Sequence, residues 1–214
     1  MKVTVILSAV YLLIISSNTF SQTSIYLSGN GGYYLYHYDN TLPLTENTNL
    51  KFSKGLTFGL MDNFGDSFHF ILEVGYSHSK ATEVSKNNLY GSDYTSIDLI
   101  QNSFPIDISF TKNLSPSLTF GIGLSLEAIN HNISTHFINE NVYLEDKINL
   151  FSMGLNSSIN YFLPLDTENN LKLFTGLKFR YLYSIIRTAE KRDLSDFNHN
   201  FLQSTISVGL CYNL

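Results

Sequence analysis

The charged residues that could do chemistry together in this chain share one parity: Lys51, Glu73, Asp107, Glu127, Lys172, Lys178 and Arg180. Each lies on the small or polar side of a segment whose apolar residues recur at every second position. In a strand that side is a single face, so these groups are expected to point into a common interior. Carboxylates and cations gathered there should pair, because an uncompensated buried charge costs several kcal/mol. The same groups could instead relay protons or ions. A salt-bridged plug is the better reading, since an eight-stranded interior only just holds side chains.

Other chemistry finds less support. The six histidines are His37, His69, His78, His131, His136 and His199. Two residues beyond them stand Asp39, Ile71, Lys80, Ile133, Ile138 and Phe201, so the His-x-Ser pair used by barrel-shaped lipid A deacylases is missing. His78, Ser79 and Glu83 could be drawn as a catalytic group, but adjacent strand residues point to opposite faces; His78 is expected in a surface loop. His131 and His136, near Glu140, have the right types for a metal, yet nothing in their spacing fixes a geometry, and a solvated loop is expected. There is no Gly-rich phosphate loop, no CxxC and no nucleophile elbow. The expectation is a non-enzyme with no cofactor and no metal. The single cysteine, Cys211, allows no internal disulfide, and its parity makes it a small filler on the polar face.

Positioning these groups requires strands. Eight segments carry the pattern, at about 24–38, 50–62, 66–80, 94–110, 117–132, 147–163, 171–187 and 201–214. In the third, Phe68, Phe70, Leu72, Val74 and Tyr76 oppose His69, Ile71, Glu73, Gly75 and Ser77. In the fifth, Leu118, Phe120, Ile122, Leu124 and Leu126 oppose Ser117, Thr119, Gly121, Gly123, Ser125 and Glu127. The seventh sets Leu173, Leu177, Phe179, Tyr181 and Tyr183 against Lys172, Phe174, Gly176, Lys178 and Arg180. The eighth alternates to its end through Leu202, Ile206, Val208, Leu210, Tyr212 and Leu214. The second strand's apolar face is interrupted by Lys54. In the fourth, Phe104, Ile106, Ile108 and Phe110 oppose Ser103, Pro105, Asp107 and Ser109, whereas Ile97 and Leu99 have the other parity. That switch predicts a bulge between Ile100 and Asn102. The first strand is rich in glycine and tyrosine, and its register stays open.

The connections alternate. Residues 63–65, 111–116 and 164–170 are short and hold turn formers; residues 39–49, 81–93, 133–146 and 188–200 are longer and polar. Long and short loops alternating around an even number of strands is the pattern of transmembrane barrels, short turns inside the envelope and long loops outside. The N-terminus agrees. Lys2, the apolar residues 3–15 and the small or polar residues that follow read as a secretory signal peptide over residues 1–21, leaving 22–214 as one barrel domain. Charged residues make up 14%, against roughly 25% in ordinary soluble domains. The formal charge of −5 offers no basic patch for nucleic acid.

Alternation alone does not say which face meets lipid. A soluble lipocalin-like binding barrel would hold its oily face inside. Here the other face is mostly Gly, Ser, Thr and Asn, which suits a narrow lumen, and Tyr76, Tyr181, Tyr183 and Tyr212 sit toward strand ends as an interfacial girdle would. The apolar face is therefore expected to face lipid. Unpaired backbone is not tolerated in hydrocarbon, so the eighth strand is expected to pair with the first.

The fourth strand, Ser103-Phe104-Pro105-Ile106-Asp107-Ile108, is followed by a turn and the Gly-rich Phe120-Gly121-Ile122-Gly123-Leu124. With a signal ending in Ser-Gln, this resembles the PorT-like outer membrane β-barrel proteins of Bacteroidetes-type bacteria, over the whole mature chain. The chain departs from many barrels in having Leu214 where an aromatic is usual. The resemblance implies an all-β, eight-stranded antiparallel up-and-down barrel in the outer membrane of a Gram-negative cell. For some members it also implies a part in protein secretion. It transfers no activity to any residue. Expected partners are outer membrane lipids and lipopolysaccharide, the barrel-insertion machinery and an envelope protein. The expected role is non-enzymatic: envelope structure, surface interaction or accessory to secretion or assembly. The alternatives are a small-solute or ion channel and a membrane-embedded lipid-modifying enzyme.

Overall fold

The period-two segments form eight antiparallel strands: β1 (Thr23–Tyr38), β2 (Ser53–Phe64), β3 (Phe68–Asn87), β4 (Asp93–Asn113), β5 (Leu118–Phe137), β6 (Val142–Pro164), β7 (Leu171–Ala189) and β8 (His199–Asn213). The structure, a computed structural model, describes residues 23–38, 52–64, 67–87, 93–137, 142–190 and 199–214. The expected signal peptide and Lys51 lie outside the described residues. Each strand pairs with the next in sequence, and β8 returns to pair with β1, from Ser24 opposite Asn213 to Tyr38 opposite His199. Closure leaves no sheet edge over the paired length, as a strand in hydrocarbon requires. It also assigns the register of β1 that sequence left open.

The barrel is strongly staggered. A row of partners starting at Thr23 runs through Asp62, Phe70, Phe110, Ile122, Ser157, Phe179 and Ser204, and arrives back on β1 at Tyr33, 10 residues further along. Such a stagger over eight strands tilts them by roughly 35–45° and leaves an interior just wide enough for side chains.

The apolar parity is the outside. Leu56, Phe58, Val74, Phe110, Ile122, Leu124, Leu155, Ile206 and Val208 are all exposed, while Ser28, Ser103, Asp107, Ser125, Glu127 and Ser152 are buried within. On β5 the outward apolar run from Leu118 to Ala128 covers about 25 Å along the barrel axis, at ~3.3 Å per residue and a tilt of ~40°. That equals the height of an outer membrane barrel's apolar band, ~25 Å.

Above that band the polarity of the two faces exchanges. On β3, β5, β6 and β7, Tyr76, Ala128, Phe151 and Ile186 occupy the last apolar positions outside, and one pleat further out stand His78, Asn130, Asn149 and Thr188; on β2 and β4, Lys54 and Asn102 interrupt the outward face before the exposed Phe52 and half-buried Ile100. Inside, β4 to β6 add apolar groups at this level: Leu99, Ile129, Ile133, Ile148 and Leu150 are all buried, alongside Gln101, His131 and Asp146. Above the apolar band the outward face of β3 to β6 is therefore mostly polar, while β4 to β6 point a mixture of apolar and polar groups inward.

This exchange corrects the bulge expected at Ile100 to Asn102. β4 keeps one register with β3 and with β5 along its whole length, and Leu99 simply points inward. The parity of the apolar residues changes because the outward face of β4 turns polar there, and the backbone does not kink. The β3–β4 pairing is interrupted only near Pro105, which has no N–H to give to the ladder. A true shift occurs between β6 and β7, where Phe151 faces Ile186 and Ser152 faces Ser184, so Ile185 is the extra residue and both isoleucines face out. The connections expected at 81–93 and 133–146 are shorter than expected because β3 to β6 occupy much of them, whereas the first long connection, expected at 39–49, extends to residue 52. At the other end, the 164–170 turn is closed by Leu171 N–H donating to Asp166 Oδ2 at 3.0 Å, and Asn169 takes a left-handed φ of 59°, which asparagine accepts more readily than most residues.

Candidate functional site

The interior is built in three layers. Nearest the short turns, Tyr26, Met61, Ile71, Phe162, Phe174 and Cys211 form a buried apolar cluster. Tyr26 and Phe174 stack with ring centroids 4.8 Å apart, and Phe162 lies 5.4 Å from Phe174. Gly59, the β2 partner of Tyr26, makes this possible: a Cβ there would stand 2.1 Å from Tyr26 Cζ.

The middle layer is ionic. Glu73 and Asp107 are direct cross-strand partners on β3 and β4, an arrangement that alone would repel. Lys178 and Arg180, two residues apart on β7 and so on one face, reach across the lumen to them. Lys178 Nζ contacts Glu73 Oε2 and lies 2.8 Å from Asp107 Oδ2. Arg180 Nε lies 3.0 Å from both Asp107 oxygens, and its Nη2 also contacts Oδ2. Its Nη1 donates to Gln203 Oε1 at 2.7 Å. Asp107 accepts from Ser125 Oγ as well. Asn156 ties this centre to the wall, accepting from Ser109 at 2.8 Å and donating to Leu124 O at 2.9 Å and to Ser125 Oγ at 3.0 Å. All four ionic side chains are almost wholly shielded. A charge so buried is tolerated only when paired and hydrogen-bonded, and here each carboxylate meets a cation.

Just above, Tyr34 of β1 crosses the lumen. Its hydroxyl donates to Glu127 Oε1 at 2.9 Å and lies 2.8 Å from Ser103 Oγ and 3.0 Å from Ser77 Oγ. The Tyr34 ring borders the outer apolar layer of Leu99, Ile129, Ile133, Ile148, Leu150, Leu182 and Phe201. Phe201 lies 6.1 Å from it, centroid to centroid.

Of the interior charges singled out from sequence, Glu73, Asp107, Lys178 and Arg180 thus meet in one cluster. Glu127 sits one layer out, on Tyr34. Lys172 is half-buried beside its β8 partner Cys211 at the inner rim, with no ion pair among the described residues. Lys51 is outside the described residues. The histidines expected in loops stand on strands. His78 faces outward on β3, its Nδ1 2.9 Å from Asn102 Oδ1, with Ser79 buried on the opposite face. His131 is buried on β5, and His136 lies on the same strand; Glu140 lies outside the described residues. Sequence reasoning missed Tyr26, Tyr34, Asn156 and Gln203. The signal for Tyr34 was its parity against Tyr33, unusable while the register of β1 was open.

No protein family matches the chain by sequence, and no curated protein does either. Solved structures do match its fold. A major outer membrane protein from Thermus thermophilus superposes with a TM-score of 0.52 at 10% identity, covering 91% of this chain and 100% of that one. The outer membrane protein OprG from Pseudomonas aeruginosa gives 0.51 at 11% identity, covering 91% and 97%. At such identities the likeness is one of fold: this chain is a closed antiparallel barrel of the outer membrane type.

Proposed function

We propose that this chain is an integral outer membrane barrel, non-conducting and non-enzymatic, which holds an interaction surface rigidly outside the cell. The observation that carries the reading is the filled lumen. The Tyr26–Phe174 layer, the Asp107-centred ion cluster and the Leu99–Phe201 layer succeed one another along the axis. A conducting path would have to part all three, and the middle one has each charge already neutralised by a neighbour. Above the lipid band, β4 to β6 bury Leu99, Ile129, Ile133, Ile148 and Leu150 inside, a stable base for the loops above them. Binding evolves readily on loops carried by such a scaffold. The likeness of Pro105 and the Gly121–Gly123 strand to PorT-like barrels supports a version in which the bound partner belongs to a secretion or assembly complex.

Planar bilayers test the reading directly. The purified chain should give no reproducible unit currents. Discrete currents that change with Glu73→Gln or Lys178→Met would establish a channel in its place. Location is tested by heat-modifiable gel migration and by fractionation with the outer membrane; a protein found in the periplasm with no such shift would overturn the membrane reading. Lipid A mass spectra from cells with and without the gene should be identical, and a lost or gained acyl chain would make it an enzyme.

A further inference from the structure

The ion cluster of the lumen balances without Glu127. Its two carboxylates, Glu73 and Asp107, face two cations, Lys178 and Arg180. Both cations are committed there. Lys178 Nζ lies between Glu73 and Asp107, while Arg180 turns Nε and Nη2 to Asp107 and Nη1 to Gln203. Glu127, one layer out, has no solvent contact. Its Oε1 meets the neutral phenol of Tyr34 at 2.9 Å, and its Oε2 has no hydrogen-bond partner among the described residues. Its ladder neighbours offer little. Pro105 on β4 has no N–H, and the hydroxyl of Ser152 on β6 lies 2.9 Å from that of Ser184 on β7. Ser77 of β3 and Ser103 of β4 complete the ring around the phenol. The charged groups that face Glu127 are Arg180 and Asp107, already engaged with each other. Ile129, two residues further along the same face of β5, is fully buried in the apolar layer above.

We infer that Glu127 is a proton-binding site, its carboxyl holding a proton at neutral pH so that the plug carries no net charge. Ionised, it would set three carboxylates against two cations in these layers, with only hydroxyls and apolar groups to surround the third. An isolated carboxylate in such a place takes up a proton instead. A metal cation is the other way to balance the charge, and the spacing of the oxygens opposes it. Those of Tyr34, Ser77 and Ser103 stand 2.7, 2.8 and 3.0 Å apart, which are hydrogen-bond distances. Oxygens that share a cation at about 2.4 Å stand roughly 3.4 Å apart at right angles. The bound proton also serves the seal: an unbalanced charge would draw water or a counter-ion into the lumen, and a neutral carboxyl does not. The inference rests on the filled lumen proposed above and adds to it a ligand, the proton, and the residue that holds it.

The test is the infrared spectrum of the purified, folded chain at neutral pH, in a detergent that has no ester or carboxyl carbonyl. A protonated carboxyl absorbs above the amide band, where an ionised one does not. Wild type should show such a band, and transfer to D2O should shift it. Glu127→Gln should lose it, whereas Glu168→Gln, in the exposed 164–170 turn, should keep it. Unfolding wild type at the same pH should abolish the band, since a solvated glutamate titrates at about 4.3; this arm needs no variant to fold. A band missing from wild type, or equally strong in Glu127→Gln, would overturn the proposal. So would a band that appears only after sodium, potassium and calcium are dialysed away, by placing a metal cation at the site. Heat-modifiable migration shows that each sample is folded. Planar bilayers keep this inference apart from the reading beneath it. Wild type with neither band nor current removes the proton and leaves the filled lumen standing, whereas unit currents overturn the filled lumen and the proton site with it.

Discussion

The phenol of Tyr34 on β1 donates to the carboxyl group of Glu127 on β5 at 2.9 Å, although the two strands stand on opposite walls of the eight-stranded barrel. One side chain thus spans the lumen where the ionic layer gives way to the outer apolar one. Both residues are essentially without solvent contact, so neither has water to replace a lost partner.

Tyr34→Phe should therefore destabilise the barrel by about 1–3 kcal/mol, the cost of leaving a buried acceptor without its donor. Glu127→Gln keeps an acceptor for the phenol and should cost less. Urea unfolding in phospholipid vesicles measures both, and a double-mutant cycle that shows no coupling between the two positions would refute the link.

Asp107 is the centre of the ion cluster, since it alone receives both cations. Asp107→Ala should cost about 3–5 kcal/mol, the range for removing one partner of a buried pair. Glu73→Gln should cost less, because Lys178 would keep Asp107. The reverse order of the two midpoints would show that Glu73 is the residue the cluster depends on.

Gly59→Ala places a methyl group against the Tyr26 ring. Overpacking of this kind costs roughly 1–3 kcal/mol. Tyr26→Leu in the same chain should recover part of the loss. If the double variant is less stable than Gly59→Ala alone, the contact is not the cause.

The exchange of polarity predicts where water begins. Single cysteines replacing Asn132 or Asn149, in a Cys211→Ser background, should react with a membrane-impermeant maleimide in intact vesicles or cells. Cysteines replacing Leu124 or Leu155 should not. Labelling at Leu124 equal to that at Asn132 would move the membrane boundary inward, away from the level at which the outward face of β3 to β6 turns polar.

Much of this architecture was legible beforehand because its cause is local. The medium on each side of a strand selects residue type at every second position, so Phe120 to Leu126 or Leu202 to Leu214 announce a strand, a face and an oily environment by themselves. The same rule misled at Leu99. A change of parity within one segment has two possible causes, a bulge or an outward face that turns polar along the strand, and only the continuous register of β4 with both neighbours separates them. The true bulge, at Ile185, left little mark, since the extra residue and the Ile186 that follows it are both apolar.

The candidate site shows the limit most clearly. Parity alone placed Glu73, Asp107, Glu127, Lys178 and Arg180 on inward faces, because that is a property of each strand alone. Which of them meet depends on the relative slide of strands far apart in sequence: the register that sets Glu73 beside Asp107, and the stagger that brings β7 cations to their height while carrying Glu127 one layer further, to Tyr34. That slide is set only when all eight strands close on one another, because each pairing must agree with the next and the last must meet the first. Sequence determined the strands, their oily face and the residues inside; the closed barrel decided who touches whom.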